Sequence, residues 1–276
     1  MMDIYYETSQ KKIIHLDRQP YYLLEGTTLF DTDREYTQTG NALPSVNFKE
    51  KLKEKELDIM ICGPSRQEHD SNLNQLINSI ELDVVTMATG KLYVGDYYIK
   101  CYLFKSKKPD RYINIAKSVL SVTLIYGKTL WIKETRSEYI WSENIDTAGR
   151  GYNYGYEYDY TMGSGNVAKI KNTHFASCDF VLKISGYARN PMVTIGRHSY
   201  RVMETVQKNE ILTIDTRNKT IVLTKNNGVQ VNCYSKRDKS SYIFEPIPAG
   251  ESRLYWNAAF NLEITLYEER SEPLWM

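Results

Sequence analysis

Most of the chain alternates apolar and polar residues with the two-residue period of β-strands. Four residues of one predicted strand share a face by this alternation: Tyr97, Ile99, Cys101 and Leu103. The preceding Gly95-Asp96 pair is a typical hairpin turn between two such runs. Further strands are predicted over residues 118–126, 180–185, 192–195, 211–215 and 220–223. The pattern predicts a mainly β protein.

One segment has the helical period instead. Its apolar residues recur every three or four positions: Leu73, Leu76, Ile77, Ile80 and Val84. Ser71 is the predicted N-cap, and Gly90 marks the return to strands. We expect a single helix whose core positions, Leu73, Leu76, Ile77 and Ile80, pack against a sheet.

Residues 142–165 differ from the rest of the chain because they are rich in glycine and tyrosine and poor in aliphatic residues. We place a domain boundary at the start of this segment, which divides the chain into residues 1–141 and 142–276. The second part has no amphipathic helical pattern, and its short strands with turn signals predict a β-sandwich.

Alternate tyrosines within this segment would lie on one face of an extended backbone. Tyr152, Tyr154 and Tyr156 are therefore the candidate aromatic surface, because tyrosine stacks on sugars and nucleic-acid bases. The other interpretation, which we favour, buries these rings against a neighbouring domain or subunit. Glu157 and Asp159 on the opposite face would repel phosphates.

Composition narrows the function classes. Lysine and arginine (35) nearly balance aspartate and glutamate (34), whereas a dedicated nucleic-acid binder normally has a basic excess. The 23 tyrosines against 7 phenylalanines suit half-buried strands and interfaces. No secretory signal is recognisable at the start, and no apolar run approaches the roughly 20 residues of a membrane span.

The pattern of reactive residues predicts no catalytic or metal site and no cofactor. The cysteines form no Cys-x-x-Cys pair and are expected to be reduced, packed thiols made in a cytoplasm. The four histidines lack metal-ligand spacing, and no phosphate loop or nucleophile elbow is present. A glycosidase would need two facing carboxylates, and no pair is indicated among Asp146, Glu157 and Asp159. We expect a protein that is not an enzyme.

The order of these segments resembles the distal tail (Dit) proteins of phages. In the first half, residues 59–63 (Ile-Met-Ile-Cys-Gly) precede the helix, the hairpin of residues 90–99 follows it, and then comes the strand of residues 119–126 with Trp131. The C-terminal stretches at residues 247–256 and 261–267, with the Pro-Leu-Trp ending at residues 273–275, are similar to the close of these proteins. The similarity covers nearly the whole chain. No long insertion of the kind that gives some members a sugar-binding module is present in the second half.

This resemblance implies an N-terminal tail-tube-like β-domain with one helix that forms a homo-hexameric ring, and a C-terminal galectin-like β-sandwich outside it. The implied partners are the tail tube protein, the tail-tip hub and a receptor-binding protein, while DNA only passes through the channel. The implied location is the virion tail tip after synthesis in the host cytoplasm, with no membrane partner. The family supplies no catalytic residues.

Two other functions stay open at this point. A galectin-like sandwich could keep a sugar groove, which would make the chain a carbohydrate-binding protein for host-surface glycans. The second is a subunit of a contractile tail or tailocin baseplate, a structural role close to that of the Dit ring subunit.

Overall fold

The structure is a computed structural model that describes residues 3–24, 29, 35–38, 46–49, 52–108, 116–127, 131–141, 166–256 and 260–274. It divides into two compact units. Unit 1 comprises Met1–Lys133 and Glu269–Met276, and unit 2 comprises Glu134–Glu268. Over the described residues the chain is built of strands with one α-helix, which confirms the predicted fold class.

Unit 1 begins with four short strands: β1 (Ile4–Glu7), β2 (Ile13–His15), β3 (Asp17–Arg18) and β4 (Tyr21–Leu23). A separate pair follows, β5 (Glu35–Gln38) with β6 (Val46–Lys49). The longer elements are β7 (Lys53–Cys62), α1 (Arg66–Val85), β8 (Gly90–Val94), β9 (Tyr97–Lys107), β10 (Lys117–Tyr126) and β11 (Trp131–Tyr139), which runs on into unit 2.

The main sheet of unit 1 closes on itself. Its hydrogen-bonded strands follow the order β1, β8, β9, β10, β7, β4 and β3. The edge of β1 that does not pair with β8 pairs with β2. Only Leu16 separates β2 from β3. The Leu16 N–H donates to the Ile4 carbonyl at 2.7 Å, and the Leu23 N–H donates to the Leu16 carbonyl at 2.6 Å. The sheet therefore curves around one apolar core, onto which α1 packs.

The predicted hairpin is confirmed. β8 and β9 pair with Val94 opposite Tyr97, so that Gly95 and Asp96 form the two-residue turn. Gly95 has a φ of +56°, a left-handed conformation that favours glycine in such turns. All four residues predicted to share a face of β9 are buried in the unit 1 core: Tyr97, Ile99, Cys101 and Leu103.

The helix begins earlier than the sequence pattern predicted. Its N-cap is Ser65, whose side chain accepts a hydrogen bond from the Glu68 N–H at 3.2 Å, so the assignment of Ser71 as the cap was wrong. Ser65 and Glu68 have the spacing of a capping box. This pair marks the start of the helix more closely than the first apolar residue of the stripe, Leu73, does. At the other end, Val84 is 39% exposed and does not continue the packed face.

Unit 2 contains the remaining strands. They are β12 (Asn166–Asn172), β13 (Asp179–Ser185), β14 (Ala188–Arg189), β15 (Met192–Ile195), β16 (His198–Arg201), β17 (Thr205–Val206), β18 (Ile211–Asp215), β19 (Thr220–Thr224), β20 (Gln230–Asn232), β21 (Gly250–Trp256) and β22 (Asn261–Arg270), whose last two residues belong to unit 1. The strands predicted over residues 180–185, 192–195, 211–215 and 220–223 are confirmed.

Two antiparallel sheets enclose the core of unit 2. One has the order β20, β19, β18, β13, β22, and the other has the order β12, β21, β15, β16. Phe180 and Ile264 of the first sheet join Val193 and Trp256 of the second in a single buried cluster. This arrangement is the β-sandwich that the alternating pattern predicted.

The division between the units falls within β11, between Lys133 and Glu134, and the chain returns to unit 1 at Glu269. The glycine- and tyrosine-rich residues 142–165, at whose start the sequence pattern placed a boundary, lie outside the described residues.

Candidate interaction surfaces

A buried carboxylate anchors the β1–β2 hairpin to the C-terminal half of α1. Asp83 is completely buried and accepts a hydrogen bond from the Tyr6 hydroxyl at 2.7 Å. Its other oxygen accepts from the Ser9 N–H at 3.0 Å and the Ser9 hydroxyl at 2.6 Å. Three such bonds offset the desolvation of the buried group. Burial and the hydrogen bond to Asp83 raise the pKa of Tyr6. Position 90 is glycine because a Cβ there would overlap the Tyr6 side chain.

The first turn of the same helix is anchored by His69, which is also completely buried. Its Nε2 lies 2.8 Å from the Ser118 hydroxyl of β10, and its Nδ1 lies 2.9 Å from a carboxylate oxygen of Asp70. Both ring nitrogens therefore have hydrogen-bond partners within unit 1. These contacts assign His69 a structural role.

The opposite face of the unit 1 sheet presents a row of aromatic residues, which we call the tyrosine row. It consists of successive cross-strand partners on β2, β1, β8 and β9: His15, Tyr5, Tyr93 and Tyr98. The Tyr5 and Tyr93 rings stack at 4.5 Å with an interplanar angle of 11°, and the Tyr93 and Tyr98 centroids are 5.3 Å apart. The Lys91 ammonium lies 4.2 Å from the Tyr98 centroid. The row is thus ordered, with His15, Tyr5 and Tyr93 partly exposed and Tyr98 buried at its end.

The side chains of this row suit protein contacts. Tyrosine is enriched at protein interfaces because its ring packs while its hydroxyl stays hydrated. Tyr5 and Tyr93 are half-buried within the isolated chain, which leaves part of each ring available. A ring already stacked on its neighbour loses little conformational freedom when a partner binds.

Unit 2 has a second aromatic cluster, on the segment between β20 and β21. Residues 234–242 form what we call the tyrosine-flanked loop, because Tyr234 and Tyr242 stand at its two ends. Both rings contact the buried Phe244, with centroid distances of 5.9 Å. The Arg237 guanidinium lies 4.1 Å from the Tyr234 centroid. Tyr234 and Tyr242 stay 43% and 52% exposed.

The residues singled out from the sequence fall in different places. Tyr152, Tyr154 and Tyr156 lie outside the described residues. On α1, Leu76 is buried, and Leu73, Ile77 and Ile80 are partly buried and pack against the same core. The tyrosine row and the tyrosine-flanked loop were not identified from the sequence, because each depends on strand register or on a loop conformation.

Reactive groups in the described part of the chain are not assembled into a recognisable centre. No group of three histidine, cysteine or acidic residues there has a geometry that would hold a metal ion. All four cysteines are buried and free of disulfides, and burial raises the pKa of Cys101 to about 12, as expected of an unreactive thiol. No helix of the described chain is long and apolar enough to span a membrane.

No protein-family model matches the chain, and no curated protein matches it by sequence. Solved structures match it over nearly its full length. A chain of the phage P2 baseplate in its activated conformation with Ca superposes with a TM-score of 0.56 at 13% identity, covering 99% of this chain and 100% of that one. A chain of the same baseplate with Sr has a TM-score of 0.58 at 11% identity, with coverages of 99% and 100%.

The SPP1 Dit protein, described as a hub of the adsorption apparatus in phages that infect Gram-positive bacteria, matches with a TM-score of 0.57 at 9% identity. The match covers 98% of this chain and 99% of the SPP1 protein. At these identities the similarity establishes the fold. The chain has the Dit fold that the order of its segments indicated.

Proposed function

We propose that this chain is a structural subunit of a phage tail tip or baseplate, where it forms a homo-hexameric ring that joins the tail tube to the tail-tip hub. The observation that supports this most is the full-length match to Dit and baseplate chains, with at least 98% of each chain covered. A match restricted to one domain would support only a shared module. Here both units, in their order, have counterparts in tail-tip proteins.

Unit 1 is the part that we assign to the ring. A ring closes by head-to-tail contacts between identical subunits, which requires two different, rigid surfaces on each copy. The hairpin fixed by Asp83 and the helix start fixed by His69 supply the rigidity, and the tyrosine row supplies one interface. The channel of such a ring would let DNA pass without binding it specifically, in keeping with the near-balanced charge.

The remaining parts of the proposal follow from the same role. The partners are further copies of the chain, the tail tube protein, the tail-tip hub and a receptor-binding protein. The location is the virion tail tip, after synthesis in the host cytoplasm. We propose a scaffold rather than an enzyme, since the tail-tip chains that share its fold are named as baseplate and hub components.

The test is to locate the chain in phage particles from the host that carries the gene. Immunogold electron microscopy with antibodies against the chain should label the tip of the tail. The matched comparison uses particles carrying the double substitution Tyr5→Ala and Tyr93→Ala beside particles carrying Tyr187→Ala, an exposed tyrosine of unit 2. Loss of tip labelling only in the double variant would support the tyrosine row as an assembly surface. Labelling of the capsid, or of no part of the particle, would overturn the proposal.

A further inference from the structure

The tyrosine-flanked loop is held in place by hydrogen bonds to the neighbouring strand β16. The Asp238 N–H donates to the Arg201 carbonyl at 3.0 Å, and the Ser241 hydroxyl donates to the Ser199 carbonyl at 2.8 Å. The loop is therefore a preorganised part of the sandwich edge, so little ordering entropy opposes the binding of a ligand.

A histidine fixes the end of the loop. The Nε2 of His198 lies 2.8 Å from the Tyr242 carbonyl, and because a carbonyl can only accept, this nitrogen carries the proton. The Tyr242 and Phe244 rings meet in an edge-to-face arrangement at an interplanar angle of 76°, and Tyr242 remains about half exposed. Its position leaves ring surface open to a ligand.

The charges of the loop favour an anionic ligand. Lys236 is paired with Glu204, which lies between β16 and β17, and this contact holds the pKa of Glu204 below its usual range. Hydrogen bonds from Ser240 lower the pKa of Asp238, which is the one acidic residue of the loop. The loop adds two further cations, Lys239 and Arg237, and one Arg237 nitrogen also donates to the Tyr234 carbonyl at 2.8 Å. Arginine suits phosphate, sulfate and carboxylate groups because its donors match their geometry.

The residues between the two tyrosines are Ser-Lys-Arg-Asp-Lys-Ser-Ser, with no apolar side chain among them. A stable protein interface buries about 800 Å² on each partner around an apolar centre, which this sequence does not offer. Separate aromatic rings among hydroxyl and charged groups suit a chain of sugar units, whose apolar faces pack on rings while their polar edges form hydrogen bonds.

We propose that the tyrosine-flanked loop binds a negatively charged polysaccharide, with a sugar unit on the exposed Tyr242 ring and its anionic groups at Arg237 and Lys239. This site goes beyond the structural role and is independent of ring formation. A chain that binds the polysaccharide without assembling would contradict only the proposed ring, whereas a ring that binds no polysaccharide would contradict only this site.

The test is calorimetric titration of the full chain with dextran sulfate, uncharged dextran and inorganic polyphosphate. Dextran sulfate should bind more tightly than either of the others, because it alone presents both sugar rings and anionic groups. Tyr242→Ala and Lys239→Glu should each weaken dextran sulfate binding by about tenfold, the equivalent of one good contact. Both side chains are exposed, so neither change should affect folding.

The matched control variants replace a lysine by glutamate elsewhere on unit 2. Lys171→Glu on β12 and Lys225→Glu after β19 should alter the affinity by less than about twofold if binding is local to the loop. Equal binding of polyphosphate and dextran sulfate, unchanged by Tyr242→Ala, would show that only charge matters and would overturn the proposal. Single-stranded DNA that binds as tightly as dextran sulfate would overturn it in favour of a nucleic-acid site.

Discussion

Unit 1 and unit 2 stabilise their cores in different ways. In unit 1 the helix α1 packs on a curved sheet, and buried ionisable side chains fix it near both ends, His69 at the start and Asp83 at the end. In unit 2 two sheets face each other across a buried cluster of mainly aliphatic and aromatic residues. Asn172 donates to the Ile247 carbonyl, Thr216 accepts from the Phe180 N–H, and the buried Glu268 accepts from the Thr173 hydroxyl.

The difference shows how a helix with a narrow apolar stripe can hold one position. Apolar contact is non-directional, and on α1 the buried apolar side chain is that of Leu76, with partly buried neighbours. The hydrogen bonds of Asp83 are directional and permit one orientation of the hairpin relative to the helix. A subunit that has to present matching surfaces to identical copies benefits from such a fixed geometry.

The largest effect is expected from a core truncation in unit 2. Phe180 is completely buried and meets the Tyr200 ring edge-on at 5.2 Å. Phe180→Ala should reduce the free energy of unfolding of unit 2 by about 3–5 kcal/mol. Urea denaturation followed by hydrogen exchange would report each unit separately. Phe175→Ala is the control, since Phe175 is 76% exposed and its loss should cost well under 1 kcal/mol. Equal effects would refute an apolar core centred on Phe180.

The corresponding change in unit 1 is Leu76→Ala on the helix. The side chain is 1% exposed, so the substitution should cost about 2–5 kcal/mol in unit 1 and leave unit 2 unchanged. Leu82 lies on the same helix but is 38% exposed, and Leu82→Ala should have a smaller effect. A thermal melt that scarcely moves for Leu76→Ala would mean that the helix does not depend on this contact.

A third substitution tests the buried carboxylate itself. Tyr6→Phe removes the hydroxyl that donates to Asp83 and should destabilise unit 1 by about 1.5–3 kcal/mol, the range for bonds to charged groups. Tyr102→Phe is the matched control, because the Tyr102 hydroxyl donates to the exposed Met87 carbonyl and its loss should cost about 1 kcal/mol or less. Equal losses of stability in the two variants would show that the buried hydrogen bond contributes no more than the exposed one.

The smallest effect concerns pH and the Glu204–Lys236 pair of unit 2. The hydrogen bond from Lys236 lowers the pKa of Glu204 below its ordinary value of 4.5. The pair therefore stabilises the folded state above about pH 4.5, and this contribution is lost as the pH falls from there through the lowered folded pKa. Because the pair is partly exposed, Glu204→Gln should cost less than about 1 kcal/mol at neutral pH.

The measurement for this pair is the difference in stability between the parent chain and Glu204→Gln as a function of pH. The difference should shrink towards zero in acid. A difference that stays constant from neutral pH to pH values well below 4.5 would contradict the assigned ion pair.

Sequence reasoning recovered the features that depend on local pattern. The strands of unit 2 and the hairpin at Gly95 follow from alternation and turn chemistry, which act over a few residues. It placed the start of α1 at Ser71 because the apolar stripe begins nearby, although the capping pair of Ser65 and Glu68 was readable.

The remaining features depend on contacts between distant parts of the chain. Asp83 looks like a solvated position on a helix until Tyr6 and Ser9, which are far away in sequence, are brought to it. The tyrosine row exists only in the observed register of its strands, because a shift of one residue would turn Tyr5 to the other face. The chain returns to unit 1 at Glu269, and no local sequence pattern predicts this return.

The measurement that tests the proposed function most directly is electron microscopy of the purified full chain and of intact tails, with light scattering across a range of concentrations. We expect a closed ring with six-fold symmetry, whose population rises with protein concentration and which is found at the tail tip. A chain that stays monomeric at every concentration and is missing from purified tail tips would contradict the proposal.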